Sequence, residues 1–197
     1  MENFIQTFSG VDFWFLDPTE DMVKIEDIAH SLSMQCRYNG HIKHFYSVAE
    51  HCVNCSLLVD PEFALQALLH DASEAYLSDL PSPVKLNLPE YYKLESVVTA
   101  AIARKFGLPP EKEWSKQVKE ADKRMLIAEA LKLMPNPGEW VTHDEFKSIY
   151  DDIQIPVFGL MPHEAEQFYL TRFNQLTVSG CGSSYYGGLQ NAHLEMA

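Results

Sequence analysis

The chain has 197 residues, 46% apolar and 22% charged, values of an ordinary globular protein that exclude a disordered, collagen-like or coiled-coil chain. This length makes one compact domain the default, with a core that needs neither disulfides nor a structural metal. The 15 Lys and Arg against 28 Asp and Glu leave a net charge of -13, which repels phosphate polymers and anionic membrane surfaces, so long nucleic acid is not an expected partner.

No stretch approaches the roughly 20 apolar residues of a membrane span. Asp12, Asp17, Glu20 and Asp21 occupy the region where a signal peptide would be basic and then apolar. The expectation is a cytoplasmic protein with no membrane contact. Cys36, Cys52, Cys55 and Cys181 have no framework spacing and are expected to be free thiols.

Phe4, Gln6 and Phe8 lead through Ser9-Gly10 to Val11, Phe13 and Phe15, a period-two pattern around a turn that predicts a short hairpin. Everything after it reads as helix. Ile25, Ile28, Ala29 and Leu32 keep one helical face, and Gly40 lies in the following loop. Ser47-Val48-Ala49-Glu50 has the form of a capping box, opening a helix with Val48, Cys52, Cys55 and Val59 inward and His51 in its first turn. Pro61 starts another, whose stripe of Leu65, Leu68, Leu69 and Ala72 runs to about Leu77 before Pro81 and Pro83 end it. Pro89 begins a segment with Leu94, Val97, Val98, Ala101 and Ile102 inward and Gly107 as its cap. Pro109-Pro110 precedes a stripe of Trp114, Val118, Ala121, Met125 and Leu131, read as core, and Ala165, Phe168, Tyr169 and Phe173 mark a last helix. The fold class is an all-α bundle with an N-terminal β-hairpin. Residues 177–197 hold no Lys or Arg and no helical stripe, and read as a flexible tail behind a domain of residues 1–176.

The informative stretch is Leu68-Leu69-His70-Asp71-Ala72-Ser73-Glu74, where a His and an Asp interrupt the end of an apolar run. Imidazole and carboxylate together suit a divalent transition metal, and two further ligands are needed. His51 on the preceding helix and Asp122, beside buried Ala121 at the edge of a later inward face, are the best candidates. Glu74, four residues beyond His70, shares its helical face. Cys52-Val53-Asn54-Cys55 lies on an apolar stripe with no second pair to complete a zinc site, and reads as core packing.

In Arg37-Tyr38-Asn39-Gly40-His41-Ile42-Lys43-His44 an acidic protein concentrates two permanent cations and two histidines in one loop, which reads as an anion site. Arg can grip phosphate oxygens through two parallel hydrogen bonds, and Lys85, after the proline-bounded connector, adds a point charge.

The order His, then His-Asp, then Asp on successive helices resembles the HD-domain phosphohydrolases. The stretches IEDIAHSLSMQCRYNGH, FYSVAEH and LLHDASEAYLSDLPSPVK between Ile25 and Lys85 resemble the branch containing bacterial 5′-deoxynucleotidases and phage dATP triphosphohydrolases, over about residues 1–176. The resemblance implies metal ligands at His51, His70, Asp71 and Asp122, assisting acids at Glu74 and Asp79, a phosphate contact at Arg37 and a deoxyribose contact at Tyr38. The bacterial nucleotidase has Trp after the arginine, so Tyr38 is a departure that bears on sugar and base choice. The chemistry implied is hydrolysis at the α-phosphate with Zn, Co or Mn as cofactor, and His41, Lys43 and Lys85 serving the outer phosphates. The first substrate expected is dATP or another purine dNTP, giving the deoxynucleoside and triphosphate; the alternative is a 5′-deoxynucleotidase acting on dNMPs. Self-association is implied as well. Cyclic-nucleotide or alarmone hydrolysis is a second enzyme reading, and a metal-containing nucleotide-binding module without turnover is a reading from another class.

Overall fold

The computed structural model describes residues 3–138 and 155–178. Strands β1 (Ile5–Gln6) and β2 (Asp12–Phe13) pair antiparallel with Ile5 opposite Phe13. Gly10 takes the left-handed position of the turn at φ 82°. Asp27, buried in the first turn of the following helix, ties this hairpin down by accepting from the Ser9 amide at 2.6 Å and the Ser9 hydroxyl at 2.8 Å. Phe13 then stacks on Tyr76 at 3.8 Å between centroids, so the hairpin closes one side of the core.

The helices among the described residues are α1 (Ile25–Met34), α2 (Val48–Leu57), α3 (Ala64–Leu68), α4 (Glu74–Leu77), α5 (Ser82–Lys85), α6 (Pro89–Lys105), α7 (Lys116–Leu133) and α8 (Pro162–Val178). Helix α2 is buried along almost its whole length, and α1, α3, α7 and α8 pack around it. One apolar cluster joins Ile28, Leu32, Val53, Ile102 and Tyr169; another joins Cys55, Ala67, Ala121, Met125 and Leu133 between α2, α3 and α7. Each large aliphatic side chain buried there contributes about 1.5–3 kcal/mol. No described helix is long and apolar enough to cross a membrane.

Four expectations change. The helix expected from Leu65 to Leu77 is broken, because α3 ends at Leu68 and hydrogen-bonded turns carry the chain to α4. Neighbouring residues of a continuous helix point about 100° apart; the break lets His70 and Asp71 turn toward the same point. Val97 is 42% exposed rather than inward, so the buried face of α6 is Val98, Ala101 and Ile102. The capping box is half formed: the Ser47 hydroxyl accepts from the Glu50 amide, whereas the buried Glu50 carboxylate accepts from the amides of Phe158, Gly159 and Leu160. Glu50 thereby fastens the segment before α8 to the central helix. Helix α8 reaches Val178, two residues past the expected boundary; the rest of the expected tail, with Cys181, lies outside the described residues. Cys36, Cys52 and Cys55 are free thiols.

Candidate metal centre

Three elements deliver four side chains to one point. His51 comes from the first turn of α2, His70 and Asp71 from the break after α3, and Asp122 from the second turn of α7. His51 Nε2 lies 3.2 Å from Asp122 Oδ1 and 3.7 Å from Asp71 Oδ2; His70 Nε2 lies 3.2 Å from Asp71 Oδ2 and 3.8 Å from Asp122 Oδ1. The fourfold expectation of His51, His70, Asp71 and Asp122 is thus brought together in space. His51 is fully buried, whereas the side chain of Asp122 is 46% exposed and that of Asp71 21%, so the cluster has a closed floor and an open mouth.

Both imidazoles present Nε2 to the cluster because Nδ1 is held from behind. His51 Nδ1 pairs with Glu129 Oε1 at 2.7 Å, and His70 Nδ1 with the carbonyl of Ala67 at 2.8 Å. This is the arrangement that fixes the tautomer of a metal-bound histidine and aims its other nitrogen. His70 Nε2 is buried and makes no well-formed hydrogen bond, its neighbours being the Asp71 and Asp122 carboxylates at 3.2 and 3.8 Å, an arrangement that a metal ion between them would satisfy. The donor set fits such an ion: a buried cluster of imidazole, carboxylate and thiol groups that can hold a divalent metal.

The charges balance. Burial disfavours the charged form of both imidazoles, yet Cys55, Glu129 and Asp122 hold His51 well above its usual value, and Asp71, Cys52 and Asp122 do the same for His70. Burial opposes both the Asp71 and the Asp122 carboxylates, but His70 and His51 bring Asp71 down to about 2 and hold Asp122 below the carboxylate range. A divalent ion would replace two imidazolium protons charge for charge, leaving the surrounding electrostatics in place.

Glu129 is the residue that the sequence reading missed. It is fully buried, and accepts from Arg37 Nε at 3.0 Å and the Tyr46 hydroxyl at 2.9 Å in addition to His51. Arg37 Nη1 lies 3.9 Å from Asp71 Oδ2, an ion-pair distance that aims one edge of the guanidinium at the cluster. The signal was present: Glu129 is seven residues after Asp122, two turns along the same face of α7, and it interrupts the buried run Ile127-Ala128-Ala130.

Glu74 and Asp79 flank the cluster. Gln35 links them, its side-chain amide donating to the Glu74 carbonyl at 3.0 Å and its side-chain oxygen accepting from the Asp79 amide at 2.9 Å. Burial pushes the Glu74 carboxyl up, nearby Asp71 and Asp79 push it further, and Lys85 opposes them. Asp79 is raised by burial, against the pull of Arg37.

The remaining expected residues are dispersed. Lys85 lies 2.8 Å from Glu74 and 2.9 Å from Glu95. Tyr38, at φ 54°, packs on Ile127 and Ala130 and donates its hydroxyl to the carbonyl of Leu126 at 2.8 Å, with the Arg37 guanidinium 5.5 Å from its ring. His41 is exposed. Lys43 donates its backbone amide to Leu133 and its ammonium to the carbonyl of Lys132, at the far end of α7. That end is eleven residues from Asp122, about 16 Å at 1.5 Å per residue. Cys55, expected as packing alone, has its Sγ 3.4 Å from His51 Nε2.

The chain is 44% identical over 176 residues to the uncharacterized protein YfdR of Escherichia coli (strain K12), a match covering 89% of this chain and 96% of YfdR. This chain belongs to the YfdR family. An uncharacterized protein of Rhodobacter capsulatus is also 44% identical, over 115 residues, covering 51% of this chain and 57% of that protein. No protein-family model matches.

Proposed function

We propose that the chain is a metal-dependent phosphohydrolase of the HD type, cleaving deoxynucleotides between the α-phosphorus and the 5′-oxygen. The carrying observation is the convergence of two imidazole Nε2 atoms and two carboxylates, each imidazole braced from behind, beside an arginine and a buried glutamate. His51, His70, Asp71 and Asp122 would hold Zn, Co or Mn. When bound, the metal would supply Lewis-acid polarisation of a phosphoryl oxygen and ease ionisation of water. Arg37, anchored through Nε by Glu129, would turn its terminal nitrogens to the phosphoryl oxygens and offset the charge that grows there. Glu74, whose hold on a proton is raised by burial and by its acidic neighbours against the pull of Lys85, would move a proton between water and the departing 5′-oxygen, with Asp79 adjacent to take part in the exchange.

The same scissile bond serves dATP, giving deoxyadenosine and triphosphate, and a dNMP, giving deoxynucleoside and phosphate. One observation favours the monophosphate. Lys85 is engaged by two carboxylates and Lys43 sits at the far end of α7, so neither cation is disposed toward β- and γ-phosphates. The reading includes a cytoplasmic homo-oligomer.

Product analysis across dNTPs, dNMPs and matching ribonucleotides, with metal content measured in parallel, tests it. Release of triphosphate from dATP or of phosphate from a dNMP supports hydrolysis and decides between the substrates. Bound metal with no product from any nucleotide would overturn catalysis in favour of a binding module.

A further inference from the structure

Ser78 holds a backbone conformation that belongs to glycine. It ends α4 at φ 74° and ψ 148°, a region that other residues scarcely populate. Among the described residues, the other non-glycine positions with positive φ are Tyr38 and Asn39, directly after Arg37, so each of these departures adjoins a residue of the candidate site. A conformation of this kind persists only where its surroundings over-determine it. Here both ends of the peptide unit between Ser78 and Asp79 are held by side chains. The Tyr91 hydroxyl, from the first turn of α6, donates to the Ser78 carbonyl at 2.7 Å, and the Asp79 amide donates to Gln35 Oε1 at 2.9 Å. Gln35, the residue that ends α1, donates through Nε2 to the Glu74 carbonyl at 3.0 Å and to the Ser31 hydroxyl at 3.2 Å, and that hydroxyl donates to the Ala75 carbonyl at 2.9 Å. The Ser78 amide closes on the Glu74 carbonyl at 2.8 Å. Asp79 thereby carries its carboxyl into the field of Arg37, Asp71, Lys85 and His51.

We propose that the peptide unit between Ser78 and Asp79 is a strained clamp that aims the Asp79 carboxyl at the metal centre, with Gln35 and Tyr91 as its positioning residues. The inference rests on the hydrolase reading above and adds to it two residues that act only through Asp79. Tyr91 also adjoins the support of the other assisting acid, since its ring lies 5.6 Å from Lys85 Nζ, which holds Glu74 Oε1 at 2.8 Å. Without the clamp, Ser78 relaxes toward negative φ and turns Asp79 away from the cluster. A misplacement of about 1 Å is enough to cost about 10²-fold in rate.

Kinetics with dAMP and dATP, metal analysis and urea unfolding, all on the full chain, are the test. Gln35→Met and Tyr91→Phe keep size and remove the hydrogen bonds; each should lower kcat about 10–100-fold with KM and metal content unchanged. In an Asp79→Asn background the same substitutions should change kcat by no more than about twofold, because the group through which they act is already gone. Ser78→Gly should favour the folded state at least about fivefold over Ser78→Ala, and added to Gln35→Met it should recover kcat by about the same factor, since glycine adopts this turn without the clamp. Equal losses in the wild-type and Asp79→Asn backgrounds, or lost stability with kcat intact, would overturn the positioning role and leave the hydrolase reading standing. Equal stability of Ser78→Gly and Ser78→Ala would overturn the strain and with it the clamp. A wild-type protein that binds metal and turns over neither nucleotide would overturn the hydrolase reading and this inference together.

Discussion

Glu129 should control both the stability of the fold and the affinity of the metal centre, and its two simplest substitutions separate these effects. Glu129→Ala removes the acceptor for Arg37 Nε, the Tyr46 hydroxyl and His51 Nδ1 together. Arg37 is 8% exposed, so its charge would be left buried without its main partner, a loss of about 3–5 kcal/mol. That is a large part of the 5–15 kcal/mol typical of a whole domain (~100–200 residues), so much of this variant should be unfolded. Glu129→Gln keeps the shape and one acceptor oxygen but removes the charge behind His51. Metal affinity should then fall about 10–100-fold, the usual effect of losing the group that orients a histidine ligand. The loss should depend on pH with a definite sign. Glu129 strengthens the hold of His51 on the proton with which a metal competes, so removing its charge also relieves that competition; the deficit is largest at alkaline pH and shrinks as pH falls. Competition against a chromophoric chelator at several pH values, with urea denaturation of the metal-free variants, measures both quantities. An affinity in Glu129→Gln within about threefold of the wild type at alkaline pH would refute the bracing argument.

Glu74→Gln should retain metal and nucleotide binding and lose about 10²–10⁴-fold in turnover, since a proton donor is removed without disturbing a ligand; single-turnover kinetics and metal analysis on the same preparation check it. Tyr38→Ala should retain metal and lose preference for deoxyribose over ribose, whereas Tyr38→Phe loses only the bond to Leu126, about 1 kcal/mol of stability. An unchanged sugar preference in Tyr38→Ala would reduce Tyr38 to packing on α7. The metal-free and metal-loaded proteins should respond oppositely to pH. His51 and His70 are raised above their usual value, so their contribution to metal-free stability is fully present below about pH 6.5 and is lost as pH rises through the folded values. Stabilisation by metal grows over the same rise because its ligands must be deprotonated. Melting temperatures with and without chelator across this range would show parallel trends if the histidines were not linked to the site.

What was legible in the sequence, and what was not, divides along a physical line. The hairpin and the helices follow from period and punctuation, and His51, His70, Asp71 and Asp122 stood out because each polar group interrupts or borders an apolar stripe. The break after Leu68 was hidden because Leu69 and Ala72 continue the apolar stripe across it, and no Pro or Gly marks where α3 ends. Glu129 was missed for a related reason: a single carboxylate among alanines leaves the stripe intact. Lys43 and Lys85 are a different case: sequence supplies their charge, but their partners depend on where the chain returns. Pro81 and Pro83 turn α5 back onto Glu74 and α6, and the loop containing Lys43 closes on the end of α7, anchored by the bridge between Cys36 and Ser47. A buried cluster built from α2, α3 and α7 therefore has its ligands written locally and its tuning written non-locally. Substitutions at Glu129, Gln35 or Lys85 should accordingly change metal affinity or proton transfer while the four expected ligands remain in place.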